Sequence, residues 1–119
     1  MRTAPCYGRD GVEGFAVTSE TVAGRCRLTA SGELDIATIS DLETPFEAAV
    51  AAAPTAILVD LRAVTFIDST GMALLLRMID RAGALPVRFR TSAAIERLLE
   101  IIGLEGRIPL AEDDETGGS

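Results

Sequence analysis

Apolar and polar residues alternate loosely over residues 15–22 and again over 26–32, with Ala23-Gly24 between them. Two β-branched runs of period two, separated by a breaker, predict a hairpin. The period then changes. Ile39, Leu42, Phe46, Ala49, Val50 and Ala53 recur at three- and four-residue spacing, which predicts one helix with a single apolar face. Pro45 falls inside that stretch without shifting its phase, so we place it in an early turn, where the missing N–H costs little. Thr44-Pro45-Phe46-Glu47 also fits a capping box, which would start the helix as late as Thr44. Pro54 ends the helix, and the apolar run over 55–60 reads as a buried, parallel strand.

Met72, Leu75, Leu76, Met78 and Ile79 form the apolar side of a second helix, with Arg77, Asp80 and Arg81 opposite and Gly83 as its stop. Residues 86–90 alternate as a short strand near a sheet edge. Ser92 then caps a third helix with Ile95, Leu98, Leu99 and Ile102 inward, and Gly103 closes it at C′. Residues 107–110 add a last edge strand. The expected order is β-β-α-β-α-β-α-β, an α/β domain over 14–111 whose crossovers build a mixed, largely parallel sheet. Four or five strands are expected, with the helices mainly on one face. Residues 1–13 read as an irregular lead-in, and the acidic, Gly-rich residues 112–119 as a disordered tail.

Composition narrows the function more than it changes the fold. At 119 residues and 48% apolar, the chain suits one domain with one core. No run reaches the ~18 apolar residues of a membrane span, and residues 1–14 hold no signal-like apolar segment, so a cytoplasmic protein is expected. The net charge of −7 includes Glu112, Asp113, Asp114 and Glu115; up to Ala111 there are fourteen acids against eleven bases, a net of −3. That is no footprint of a nucleic-acid binder. Every base is arginine: the chain has neither histidine nor lysine. A Ser-His-Asp or Cys-His site, a Ser-Lys dyad, a Schiff base and a P-loop lysine are all excluded. Cys6 and Cys26 stand twenty positions apart, without a Cys-x-x-Cys pair, and read as free thiols in a reducing compartment. We expect no catalytic residue, no metal and no cofactor.

One stretch, residues 60–72, organises the rest. Asp68-Ser69-Thr70-Gly71 stands at the mouth of the second helix, where Asp68 can cap unpaired backbone N–H groups. Ser69 then falls on the first turn, beside those donors and the positive end of the helix dipole, a place that tolerates a phosphate. By itself this is also an ordinary capping sequence. Asp35 taken alone reads as a turn residue or helix cap. Asp60 reads as a solvated carboxylate or a partner of Arg62, and Arg77 and Arg81 as a solvated helix face or a contribution to a partner surface.

Two motifs together carry a resemblance. Gly32-Glu33-Leu34-Asp35-Ile36-Ala37-Thr38 and Phe66-Ile67-Asp68-Ser69-Thr70-Gly71 are similar to the signature segments of STAS domains, most closely the bacterial anti-anti-sigma factors. Val59-Asp60-Leu61 and the element order fit as well, so the resemblance covers residues 15–110. It implies a STAS-like fold and a non-enzymatic phosphoprotein of partner switching in transcription regulation. The unphosphorylated form would bind an anti-sigma factor with serine-kinase activity and release a sigma factor. Phosphorylation would switch it off, and a serine phosphatase would restore it. Residue by residue, the resemblance makes Ser69 the phosphoacceptor and Asp35, Asp68, Ser69, Thr70 and Gly71 the partner-binding surface. Thr70 stands where many relatives have a second serine. Two other readings compete: a STAS scaffold or accessory subunit of a stress-signalling complex or lipid transporter, and a receiver-like domain phosphorylated on Asp60. The missing lysine counts against the receiver. Nothing demands more than a monomer or weak dimer.

Overall fold

The computed structural model describes residues 15–104 and 106–111; Cys6, the lead-in and the acidic tail lie outside the described residues. The hairpin forms as β1 (Phe15–Val22) and β2 (Arg25–Leu34), antiparallel with Val22 opposite Arg25. Its two turn residues, Ala23 and Gly24, have φ of 54° and 80°. Positive φ at both central positions is the turn geometry that matches the twist of paired strands.

Helix α1 (Ile39–Ala51) leads to β3 (Ala56–Ile67), α2 (Ser69–Ala82), β4 (Val87–Arg90) and α3 (Ala93–Ile101). The sheet order is β1-β2-β3-β4, with β3 parallel to both β2 and β4. This is the mixed, largely parallel sheet that the element order implies. Helices α1 and α2 pack on each other, α1 against β1 and β2 and α2 against β3. Alternate strand residues feed the core beneath them: Val17, Leu28, Ala30, Val59 and Phe89 are all fully buried. Leu42 and Phe46 of α1, Leu74, Leu75 and Met78 of α2, and Ile95 and Leu99 of α3 complete it. The caps fall as expected. Ser92 Oγ accepts from Ile95 N–H, while Gly103 N–H and Leu104 N–H bond back to the Glu100 and Leu99 carbonyls, closing α3 in a Schellman turn.

Ile102, expected inward on α3, is 45% exposed at the helix C-cap. Three further expectations need correction. The strand expected over 55–60 runs on to Ile67, because two bulges interrupt its alternation. Thr29 pairs with Asp60 but Ser31 with Ala63, and Gly32 pairs with Val64 but Glu33 with Phe66, so β3 carries one extra residue at each step. Second, α1 begins at Ile39, not Thr44, and Pro45 is its seventh residue rather than part of an early turn. Burial of Leu42, Pro45, Phe46 and Ala49 holds the helix together across the missing N–H. Third, the edge strand expected over 107–110 shrinks to one parallel bridge, Leu110 with Phe89.

Candidate functional site

The carboxyl ends of parallel strands are where open α/β sheets place their sites. Here β2 and β3 end side by side, with Leu34 paired to Ile67 and Asp68 N–H donating to the Leu34 carbonyl at 3.3 Å. The two motifs, more than thirty positions apart in sequence, therefore become adjacent loops.

The first loop is a self-contained turn. Asp35 Oδ1 accepts from Ala37 N–H at 3.0 Å, and Thr38 Oγ1 accepts from Asp35 N–H at 3.0 Å. Thr38, itself buried, donates its hydroxyl to the Glu33 carbonyl at 2.8 Å. The Asp35 carboxylate is held in place by its own loop and remains half-buried at the surface. Ile36, the next residue, is 74% exposed.

The second loop is the mouth of α2. Asp68 is extended at φ −106° and caps the helix, its Oδ1 accepting from Gly71 N–H at 3.0 Å while its carbonyl accepts from Met72 N–H. Ser69, the first helical residue, is exposed. The N–H groups of Ser69 and Thr70 have no partner among the described residues, so two helix-end donors stand beside the Ser69 hydroxyl. Gly71 is buried for a reason of space. A Cβ there would stand 2.9 Å from the Leu34 carbonyl oxygen and 2.7 Å from Ile67 Cγ1, so the start of α2 seats directly on the ends of β2 and β3.

Asp60 lies elsewhere. It sits mid-strand at the first bulge, 6% exposed, with Arg62 clamping it through Nε at 3.0 Å and Nη2 at 2.8 Å. Arg62 N–H adds a third bond at 3.0 Å. Burial pushes this carboxyl up, but the Arg62 hydrogen bonds and the charges of Arg62 and Arg90 outweigh it and hold it below its usual value. A strand-interior carboxylate in a guanidinium clamp offers no receiver-type acceptor. Arg77 and Arg81 pair across to α1, with Glu43 at 3.6 Å and Glu47 at 3.2 Å. Among the described residues, no group of side chains has the composition of a metal site, and no helix is long and apolar enough to cross a membrane.

The family model described as MlaB, STAS domain, matches residues 17–112. The chain belongs to the STAS-domain family. A comparison with curated proteins gave no match. Among solved structures, this STAS domain is similar to an anti-sigma factor antagonist from Mycobacterium paratuberculosis, at 29% identity and a TM-score of 0.77, over 87% of this chain and 92% of that one. It shares its fold with the Bacillus cell fate determinant SpoIIAA in the phosphorylated form, at 22% identity and a TM-score of 0.63, over 87% and 97% of the two chains. The unphosphorylated SpoIIAA matches at 22% identity and a TM-score of 0.66, over 84% and 91%.

Sequence reading singled out the polar residues of these two loops but not the apolar side chains around them. Phe66 is 50% exposed and Ile36 more so. No signal in the sequence sets them apart, because the bulge that turns Phe66 outward depends on pairing with β2.

Proposed function

We propose that this STAS domain is an anti-sigma factor antagonist. Its unphosphorylated form binds an anti-sigma factor with serine-kinase activity and so frees a sigma factor; phosphorylation of Ser69 ends that binding, and a serine phosphatase reverses it. The observation that carries the reading is the exposed Ser69 hydroxyl on the first turn of α2, with the Asp35 loop brought beside it by the pairing of Leu34 with Ile67. Similarity to an anti-sigma factor antagonist over most of both chains supports it. The partner surface comprises Asp35, Asp68, Ser69, Thr70 and Gly71, with no catalytic residue, cofactor or metal of its own.

A phosphate on Ser69 adds about −1.5 to −2 charge. The free N–H groups of Ser69 and Thr70 can receive it without disturbing α2, so the fold survives while the surface changes. A partner matched to a neutral hydroxyl then meets a dianion between two carboxylates. Unit charges ~4 Å apart at an effective dielectric near 20 interact by about 4 kcal/mol. A hundredfold loss of affinity needs only about 2.7 kcal/mol. One phosphate is enough.

Phosphosite mass spectrometry on the protein from its own cells, with partner titration of Ser69→Ala and Ser69→Asp, tests this. Phosphate on Ser69, partner binding by the alanine variant and loss of binding by the aspartate variant are the expected results. An unmodified Ser69 under all growth conditions, with binding indifferent to Ser69→Asp, would sink the switch. That outcome would leave the second reading, a STAS scaffold or accessory subunit, which the MlaB description of the matched family favours.

A further inference from the structure

Strand β4 accompanies β3 only from Ile57 to Asp60. Beyond that point the flank of β3 lies across a groove from α3, about 360 Å³ in volume. Phe66 and Ile67 form part of one wall, and Ala94, Leu98 and Ile101 part of the other. Two large apolar side chains stand out of it toward solvent, Phe66 at 50% and Ile101 at 73% exposure. Apolar surface of this kind, concentrated in a concave site, marks an interaction site.

The groove also has a charge preference. Arg97 is the sole ionisable side chain that lines it. It is exposed and has neither an ion pair nor a hydrogen bond among the described residues, whereas Arg62, Arg77 and Arg81 each pair with a carboxylate. An unpaired guanidinium on an apolar rim, in a chain of net charge −7, selects a carboxylate bracketed by apolar side chains. The β3 wall ends at Ile67, immediately before Asp68 and Ser69. One end of the groove therefore stands two residues along the chain from Ser69.

We propose that the groove seats a short segment of the anti-sigma partner, which places an apolar side chain against Phe66, Leu98 and Ile101 and a carboxylate on Arg97. The inference rests on the reading of Ser69 as the switch and names the second half of its interface. It also gives phosphorylation a second lever. The new dianion on Ser69 repels an acidic segment docked beside it, in addition to blocking contact at the hydroxyl.

The probe is the kinase fraction purified from the source cells by its ability to phosphorylate Ser69, with Ser69→Ala as the blank. Its affinity is measured for the full chain and for Arg97→Glu, Arg97→Lys, Ile101→Ser and, on the distant α1 surface, Glu47→Gln. Arg97→Glu should weaken binding about tenfold or more, Ile101→Ser about fivefold, and Arg97→Lys no more than about threefold. Glu47→Gln should bind as the parent does. Binding should weaken as salt rises, and less steeply for Arg97→Glu. Arg97 and Ile101 are exposed and Glu47 is half-buried on the surface of α1, and unchanged thermal midpoints confirm that folding is intact. Equal affinity across the series overturns the groove while leaving the Ser69 switch standing. Absence of any kinase acting on Ser69 overturns both. Self-association of the purified domain that Arg97→Glu abolishes assigns the groove to a second copy and overturns the partner segment.

Discussion

At the scale of single residues, two small side chains show how little room the site leaves. Gly71 is needed for close approach, since a methyl group there meets Ile67 Cγ1 and also the Leu34 carbonyl oxygen, a backbone atom that cannot swing away. Gly71→Ala should therefore cost about 1–3 kcal/mol, read as a lowered midpoint in urea, and displace the Ser69 turn with it. Ala23 presents the opposite case. It holds φ at 54° in the hairpin turn, a left-handed conformation that costs an ordinary L-residue ~1–2 kcal/mol. Asparagine tolerates that region, and Asn-Gly is the preferred pair for such a turn. Ala23→Asn should raise stability by about 0.5–1 kcal/mol in the same titration. Cys26 is buried, and burial pushes its thiol up, with the Ser19 and Thr21 hydroxyls opposing; it belongs to the core rather than to the reactive surface.

At the scale of elements, β3 decides where the site stands. Its two bulges deliver Asp68 and Ser69 at the level of the Asp35 loop, and the Asp60–Arg62 clamp closes over the first of them. The Asp60 carboxyl is held below its ordinary 3.8 in the folded chain, so ionisation stabilises the fold. That contribution is complete above the unfolded value and disappears as pH falls through the folded one. Asp60→Asn should cost about 1–3 kcal/mol near pH 7, because a buried charge-assisted bond is lost. The gap between variant and parent should close as the solution is taken below pH ~4, which urea titrations across that range will show. The pairs that join α1 to α2 behave differently. Arg81 is 61% exposed at the side chain where it meets Glu47, so Arg81→Ala should change stability by less than about 1 kcal/mol.

At the scale of the whole molecule, one core serves both the sheet and the site. Leu28 lies in the middle of β2, between β1 and β3, and is fully buried. Leu28→Ala should cost about 2–5 kcal/mol and take partner binding down with folding, in one cooperative transition by circular dichroism. Phosphorylation should leave that transition intact, because Ser69 is outside the core and its free helix-end donors accept the charge. A phosphorylated protein that retains its thermal midpoint but loses its partner would separate the electrostatic switch from any unfolding mechanism.

The sequence by itself determined the order of the first seven elements, the hairpin break at Ala23-Gly24, the caps at Asp68 and Ser92 and the stop at Gly103. All of these depend on neighbours within four or five residues, where period, turn chemistry and unpaired N–H groups leave few alternatives. Both motifs were visible through their resemblance to the signature segments of STAS domains. The length of β3 was not, because its alternation fails wherever a bulge inserts a residue, and a bulge exists only against a paired strand. The apolar face from Ile39 predicted one helix through Pro45, but not that packing on the sheet would carry the proline as far in as the seventh residue. Tertiary structure alone decided that Asp35 and Ser69 share one surface, that Gly71 has no room for a methyl group and that Phe66 faces water. Each of these follows from strands lying side by side across more than thirty residues of sequence, a contact that no local pattern encodes.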